Sequence, residues 1–322
     1  MIVVTGGAGF IGSAVIWRLN QEGIDDILVV DNLGRSTKWK NLVNRRYLDY
    51  VHKSVFVERL MDNHWRSISA IVHMGACSAT TEQDADFLMD NNFHYSQALA
   101  RYALERDIRF INASSAATYG DGSQGFRDDV ARMAELRPLN MYAYSKYLFD
   151  CWALREKRLE KMVSLKFFNV FGPNEYHKGE MSSLVFKAFH QVREKGHIRL
   201  FKSYHTDYPH GGQRRDFVYV KDCAELVWWF LNNPTANGLY NVGTGQARTW
   251  NALAAAVFHA MDAKANITYF DMPDTLKKAY QYYTCADMEK LGQAGTAVTF
   301  RSLENAVEDY VVNYLQQEDR YL

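Results

Sequence analysis

The sequence predicts an α/β protein: a doubly wound parallel sheet with a smaller C-terminal lobe. Three observations lead there. Short, continuously apolar runs alternate with helical stretches through the first half of the chain, the first run opens directly into a glycine-rich turn, and the alternation breaks after residue 169. A strand that is apolar on both faces needs cover on both faces, which is the condition of a parallel sheet packed between helices.

Taken in order, the predicted strands are 2–5 (IVVT), 27–31 (ILVVD), 70–76 (AIVHMGA), 108–114 (IRFINAS) and 163–168 (VSLKFF). β-branched enrichment and short length favour strand over helix for each run. Helical stretches are expected at 10–22, 54–64, 83–106 and 140–160. Right-handed crossovers between such strands place the ligand crevice at their carboxyl ends. Beyond 169, NVFGPNEYHKGEM reads as a loop, 182–195 as a helix, and 203–216 as a long polar loop. FVYV and LYNVGTG read as strands flanking a helix at 222–232, followed by a helix at 249–262, an extended piece at 267–270 and an amphipathic helix at 301–317. The resulting division is a larger domain of residues 1–168 and 217–245 and a smaller lobe of residues 169–216 and 246–322.

Bulk properties narrow the function. The 322 residues carry 37 basic and 37 acidic side chains, so no charge footprint points to nucleic acid or to a membrane surface. The four cysteines, Cys77, Cys151, Cys223 and Cys285, lie far apart without a C-x-x-C and read as reduced thiols. The ten histidines show no ligand-like spacing, so no metal is expected. The chain enters a strand at once, without a basic leader or cleavage site, and its most apolar window, CAELVWWFL, is too short to span a bilayer. A cytoplasmic location is the expectation.

VVTGGAGFIGSAV (3–15) sits between the first strand and the first helix, with Gly6, Gly9 and Gly12 spaced T-G-x-x-G-x-x-G. Glycine permits the tight turn and lets a pyrophosphate reach backbone N–H groups at a helix N-terminus. In that strand–helix context the pattern predicts dinucleotide binding. Asp31 closes the second strand about twenty residues beyond Gly12, where an acid meets the adenosine ribose. Arg35 and Lys38 follow it closely. These residues leave NAD and NADP both open.

NMYAYSKYLFD (140–150) places Tyr142 and Lys146 four apart, hence on one helical face, while Tyr144 points elsewhere and Tyr147 is only the lysine's chain neighbour. A cation beside a phenol favours the phenolate, which makes such a pair a device for moving a proton near neutral pH. Tyr144 and Tyr147 read as packing residues.

With TGGAGFIG, NASSAATYG (112–120), YAYSK (142–146) and FFNVFGP (167–173) in order, the chain resembles the extended short-chain dehydrogenase/reductases, whose larger domain is a Rossmann fold. The resemblance implies that Ser115 bonds the reacting oxygen and that Tyr142 accepts the proton. It implies that Lys146 holds the nicotinamide ribose and lowers the tyrosine's pKa. Sugar 4,6-dehydratases of that family carry an Asp-Glu pair where this chain has Ala116 and Ala117, which argues against dehydration.

Within the family, DNL…STK (31–38), HMGACSATTE (73–82), MDNNFHYS (89–96), FFNVFGPNEYHKG, RRDFVYVKD and DTLKKAYQYYTCAD (274–287) resemble the ADP-glycero-manno-heptose 6-epimerases. That resemblance implies a bacterial, redox-neutral epimerase supplying heptose for lipopolysaccharide, with NADP as cofactor and a pentameric homo-oligomer. It makes Lys178 a second acid/base opposite Tyr142, with a pKa lowered by Lys146 and a cationic nicotinamide. It also implies cofactor contacts at Gly6, Gly9, Phe10, Ile11 and Gly12; at Asp31, Asn32, Lys38 and Lys53; at Met74, Gly75, Ala76, Cys77, Ser78 and Asn91; and at Lys146, Val170 and Lys178. Contacts to an ADP-heptose are implied at Asn169, Glu180, Lys187, Phe201, Lys202, Ser203, Arg215 and Tyr280. Glu180 and Lys187 depart from the serine and histidine common in the family, Met74 replaces a common glutamate, and the 204–214 loop looks long. The rival readings are a UDP-hexose 4-epimerase and a non-enzymatic dinucleotide sensor.

Overall fold

A computed structural model of the chain describes residues 1–277 and 280–322. Lys278 and Ala279, inside the 274–287 motif, lie outside the described residues. The strands are, in chain order, β1 (Ile2–Thr5), β2 (Ile27–Asp31), β3 (Asp49–His52), β4 (Ala70–His73), β5 (Arg109–Ser115), β6 (Val163–Phe167), β7 (Asn169–Phe171), β8 (Ile198–Phe201), β9 (Arg214–Tyr219), β10 (Gly238–Val242), β11 (Ala247–Thr249) and β12 (Ile267–Phe270). The helices are α1 (Phe10–Gln21), α2 (Lys53–Met61), α3 (Ala85–Leu88), α4 (Tyr95–Leu104), α5 (Met141–Arg155), α6 (Leu184–Lys195), α7 (Val220–Asn232), α8 (Trp250–Ala260), α9 (Asp274–Lys277), α10 (Glu289–Gln293) and α11 (Leu303–Tyr310).

A seven-stranded sheet runs β10-β6-β5-β4-β1-β2-β3, with every pairing parallel. β2, β4 and β6 are buried at every position, as continuous apolar runs require. Val4, Val29 and Val72 pack into one core layer with α1 and α7, and Val3, Leu28 and Ile71 into the opposite layer with α2, α4 and α5. Each such side chain contributes roughly 1.5–3 kcal/mol on burial. The strand order reverses between β1 and β4, and an open parallel sheet binds its ligands at that reversal.

The smaller lobe carries two small sheets, β11-β9-β7 and β12-β8, over a third core. Here the structure departs from the sequence reading. Residues 217–219 belong to β9, which pairs with β7 and β11 rather than with the large sheet, whereas the sequence division had placed them in the larger domain. The edge next to β6 is already occupied by β10. α7, directly after β9, does return to the large sheet's core. The expected helix at 83–106 is interrupted by a π turn at Met89–His94, and the one at 301–317 ends in a π turn at Val311–Leu315. Among the described residues no helix is long and apolar enough to cross a membrane.

Candidate active site

The glycine-rich turn is built by close approach. Gly6 adopts φ +65°, and a Cβ there would lie 2.6 Å from the Gly75 nitrogen, so the loops after β1 and β4 touch through bare backbone. A Cβ on Gly12 would lie 2.1 Å from the Gly6 carbonyl oxygen. Gly9 starts α1 without a side-chain cap, which leaves first-turn N–H groups facing the cleft. This is a cradle for a pyrophosphate, and the residues present fit a dinucleotide.

Asp31 grips that cradle. Its carboxylate accepts from the Ala8 nitrogen at 2.9 Å and the Asn32 nitrogen at 2.6 Å, and pairs with Lys38 Nζ at 2.6 Å. The acid at the end of β2 is thus neutralised by a lysine. Lys53 donates to the Asn91 amide oxygen across the same opening. Asn32, Lys53, Cys77 and Asn91 line a cleft of about 170 Å³ there. A neighbouring cleft of about 320 Å³ is walled by Phe10, Met74, Ser78, Ser115, Tyr142, Lys146, Val170 and Lys178, with the three glycines at one end. The two clefts share Gly6, Asp31, Lys38, Gly75 and Ala76, and Ile11 completes the larger. Every residue expected at the cofactor therefore lines one of two adjoining clefts.

Asn140 caps α5 by accepting from the Ala143 nitrogen at 2.9 Å, which fixes the first turn where Tyr142 stands. Tyr142 and Ser115 line the same cleft, and the Ser115 hydroxyl accepts from the Ala117 nitrogen at 3.1 Å. Lys146 lies deeper and donates to the Ala113 carbonyl at 2.7 Å. One expectation is corrected here. The Tyr142 pKa is raised, not lowered: burial is the dominant cause, opposed by Ser115 and reinforced by Cys77, while the Lys146 ammonium is turned to the Ala113 carbonyl. Burial likewise pushes the Lys146 ammonium down to about 8, with Asp150 opposing. Tyr144 is exposed, so its reading as a packing residue is also corrected, while Tyr147 is half-buried.

Lys178 enters from a 3-10 turn at Tyr176–Met181, its ammonium 5.0 Å from the Phe10 ring centre. Its pKa is lowered, by burial first and against the pull of Glu175, where the sequence reading had named Lys146. Lys178, Phe168 and Val170 also wall a third cleft of about 280 Å³ lined by Asn169 and Trp250, so the groove continues into the smaller lobe. Farther out, Arg215 is buried, its guanidinium 5.2 Å from the Tyr280 ring and 5.8 Å from the Trp250 ring. Its guanidinium donates to the Arg214 carbonyl at 2.8 Å, it pairs with no carboxylate among the described residues, and the Trp250 indole donates to the Tyr280 hydroxyl at 3.0 Å. Phe201–Ser203 lie at the end of β8, with Lys202 paired to Asp271 at 3.2 Å. Glu180 and Lys187 are not brought to the clefts; they form an exposed pair with each other at 3.2 Å.

The sequence reading missed several residues. His177 lines the main cleft and is held neutral, its pKa about 4, by burial and then by Lys38 and Lys178. Asn92, in the π turn, accepts from the Cys77 nitrogen at 2.8 Å and donates to Ser145 at 3.0 Å, tying the β4 loop to α5. A π turn in a helix commonly marks a functional site, but it leaves no residue signature.

A model of the NAD dependent epimerase/dehydratase family matches residues 2–243. An ADP-L-glycero-D-manno-heptose-6-epimerase of Nitratidesulfovibrio vulgaris is 60% identical over the full length of both chains, and one of Fusobacterium nucleatum 48% identical, again over both full lengths. The crystal structure of the Helicobacter pylori ADP-L-glycero-D-manno-heptose-6-epimerase superposes with a TM-score of 0.80 at 26% identity, covering 97% of this chain and 95% of that one. The Thermotoga maritima UDP-glucose 4-epimerase, at 24% identity and a TM-score of 0.77 over 97% of each chain, shares the fold. The chain belongs to the NAD dependent epimerase/dehydratase family, in the group of relatives that carry the heptose-6-epimerase name.

Proposed function

We propose that the protein inverts carbon 6 of ADP-D-glycero-D-manno-heptose to give the L-glycero epimer, using a bound NADP, as a step toward the lipopolysaccharide inner core. The observation that carries this reading is the convergence of Ser115, Tyr142, Lys146 and Lys178 on one cleft that runs on into the smaller lobe. Inverting a carbinol by oxidation removes a hydride and the hydroxyl proton, leaves a ketone at carbon 6, and returns hydride to its other face with a proton to oxygen. One base serves one geometry, and the mirror geometry needs a second donor.

When bound, the dinucleotide supplies the hydride acceptor and donor and, oxidised, a ring charge that favours the phenolate. Gly6, Gly9, Gly12 and the first turn of α1 hold its pyrophosphate, Lys38 and Lys53 its ribose phosphate, and Lys146 its second ribose. Ser115 and Tyr142 then meet the sugar oxygen from one side. Lys178, whose burial eases loss of its proton, meets it from the other. The buried Arg215, with its planar fork of donors, holds the diphosphate. We read the enzyme as a cytoplasmic homo-oligomer.

Tyr142→Phe and Lys178→Met, singly and together, test the two-base arrangement. Each variant is expected to keep its dinucleotide and to lose about 10²-fold or more in turnover. A double variant with full epimerase activity overturns it.

A further inference from the structure

Beneath the Ser115–Tyr142–Lys146 group lies a second, fully enclosed charge cluster. Asp150 follows Lys146 by four residues on α5, on the same face, and is wholly buried. Its carboxylate accepts from Ser114 Oγ on β5 at 2.6 Å and from Ser164 Oγ on β6 at 2.8 Å, and pairs with Lys166 Nζ at 3.1 Å. Lys166, itself enclosed, donates to Thr118 Oγ1 at 2.5 Å, and its ammonium stands 4.8 Å from the Tyr119 ring centre. Thr118 in turn donates to the Ser115 carbonyl at 2.8 Å.

An isolated buried ion pair costs desolvation that its own attraction seldom recovers, and an apolar pair of the same volume is often more stable. Stability is therefore a poor reason for it. Its position is a better one: the pair joins β5, which ends at Ser115, to α5, which carries Tyr142 and Lys146, and to β6, which leads to the cleft wall at Phe167. Asp150 pairs directly with Lys166 and acts on Lys146, one turn earlier on α5, only through its field, so two lysines and one carboxylate leave one formal positive charge below the reacting hydroxyls.

We propose that Asp150 and Lys166 are positioning residues for the epimerase reaction, which hold Ser115 and Lys146 in register and set the charge carried by Lys146. The inference rests on the proposed function for its kinetic consequences only. Asp150 attracts the Lys146 proton, and Lys166, a like charge paired with that same carboxylate, offsets the attraction, so removing one or the other acts in opposite senses. Of the other titratable groups, Tyr142 on the same helix and Lys178 from the smaller lobe share the cleft with Lys146, His73 on β4 feels its charge, and Cys77 after β4 acts on Tyr142. His73 is enclosed and neutral across the working range, its pKa pushed to about 3 by burial and then by Lys146.

The test compares Asp150→Asn with Lys166→Met. Both break the same pair, so structural damage alone would act alike. Turnover of the heptose nucleotide is measured against pH, together with thermal unfolding against pH. For Asp150→Asn the alkaline loss of turnover is expected to move to lower pH by about one to three units, and for Lys166→Met to move upward. Unfolding gives an answer without substrate or cofactor. The folded Lys146 value of about 8 lies below the unfolded 10.5, so stability from this group rises as pH climbs through that window. Asp150→Asn should extend the rise downward and Lys166→Met should shorten it. Absence of heptose turnover in the parent protein would defeat the proposed function and leave this readout intact. Shifts in the same direction, or a uniform fall in turnover with no shift, overturn the inference. Should Asp150→Asn fail to fold, Lys166→Met decides alone, and an unmoved or lowered alkaline limb overturns the inference.

Discussion

Gly12→Ala should separate a dinucleotide cradle from a merely tight turn. The added Cβ would lie 2.1 Å from the Gly6 carbonyl oxygen and 2.7 Å from its carbon, against a floor of 3.0 Å for real Cβ contacts. The obstruction is backbone, so either the β1 loop or the start of α1 must move by about 0.9 Å. Overpacking of that kind costs about 1–3 kcal/mol, or about 5- to 150-fold in an equilibrium constant. Because the moving groups are those proposed to hold the pyrophosphate, the loss should fall on dinucleotide affinity as well as on stability. Gly9→Ala is the graded control: its Cβ meets the same oxygen at 2.9 Å and little else. The assay is the amount of NADP released per chain on denaturation, with the affinity of stripped protein measured by titration. Gly12→Ala should carry far less dinucleotide than the parent, and Gly9→Ala an intermediate amount. An undiminished complement in Gly12→Ala, or a larger loss in Gly9→Ala, refutes the cradle reasoning.

Lys38→Ala and Lys53→Ala should each weaken NADP about tenfold or more relative to NAD, since each removes a charge-assisted bond, and equal weakening of both dinucleotides would contradict the assigned roles. Between pH 6.5 and about 3 the unfolded chain protonates His73 while the folded chain does not, so stability falls as pH drops through that window, by up to about 1.4 kcal/mol per pH unit. His73→Gln should flatten that fall in acid unfolding curves, and an unchanged slope would show that His73 is not its source. Asn140→Ala removes the α5 cap and should cost about 1 kcal/mol, read as a lower unfolding temperature. An unaltered unfolding temperature would count against the cap.

The parallel sheet was legible because its strands are continuous apolar runs, and the cradle because three glycines follow the first strand at a fixed spacing. Helical spacing put Tyr142 and Lys146 on one face, and the family resemblance supplied the roles expected of them. β3 and β8 were not: DYVH and IRLF are short edge strands with few buried positions, and nothing in them outweighs a loop reading. The long 203–216 loop gave way early to β9, because the strand RRDFVY buries Arg215 and Asp216 through tertiary partners that periodicity cannot show. Asp150 reads as an ordinary helix-surface acid until β6 places Lys166 against it. The direction of the Tyr142 shift was misjudged for a related reason. Spacing reveals which groups share a face, but not that desolvation dominates for the cleft-lining phenol while the ammonium turns to Ala113. Lys178 became prominent by resemblance, and only the fold brings it over Phe10 and into the common cleft.

The central claim meets its most direct test in an NMR time course of the purified protein with ADP-D-glycero-D-manno-heptose and no added cofactor. The account predicts conversion to the L-glycero epimer, with NADP released when the protein is then denatured. Bound dinucleotide with no conversion, alongside turnover of a UDP-hexose, would contradict it.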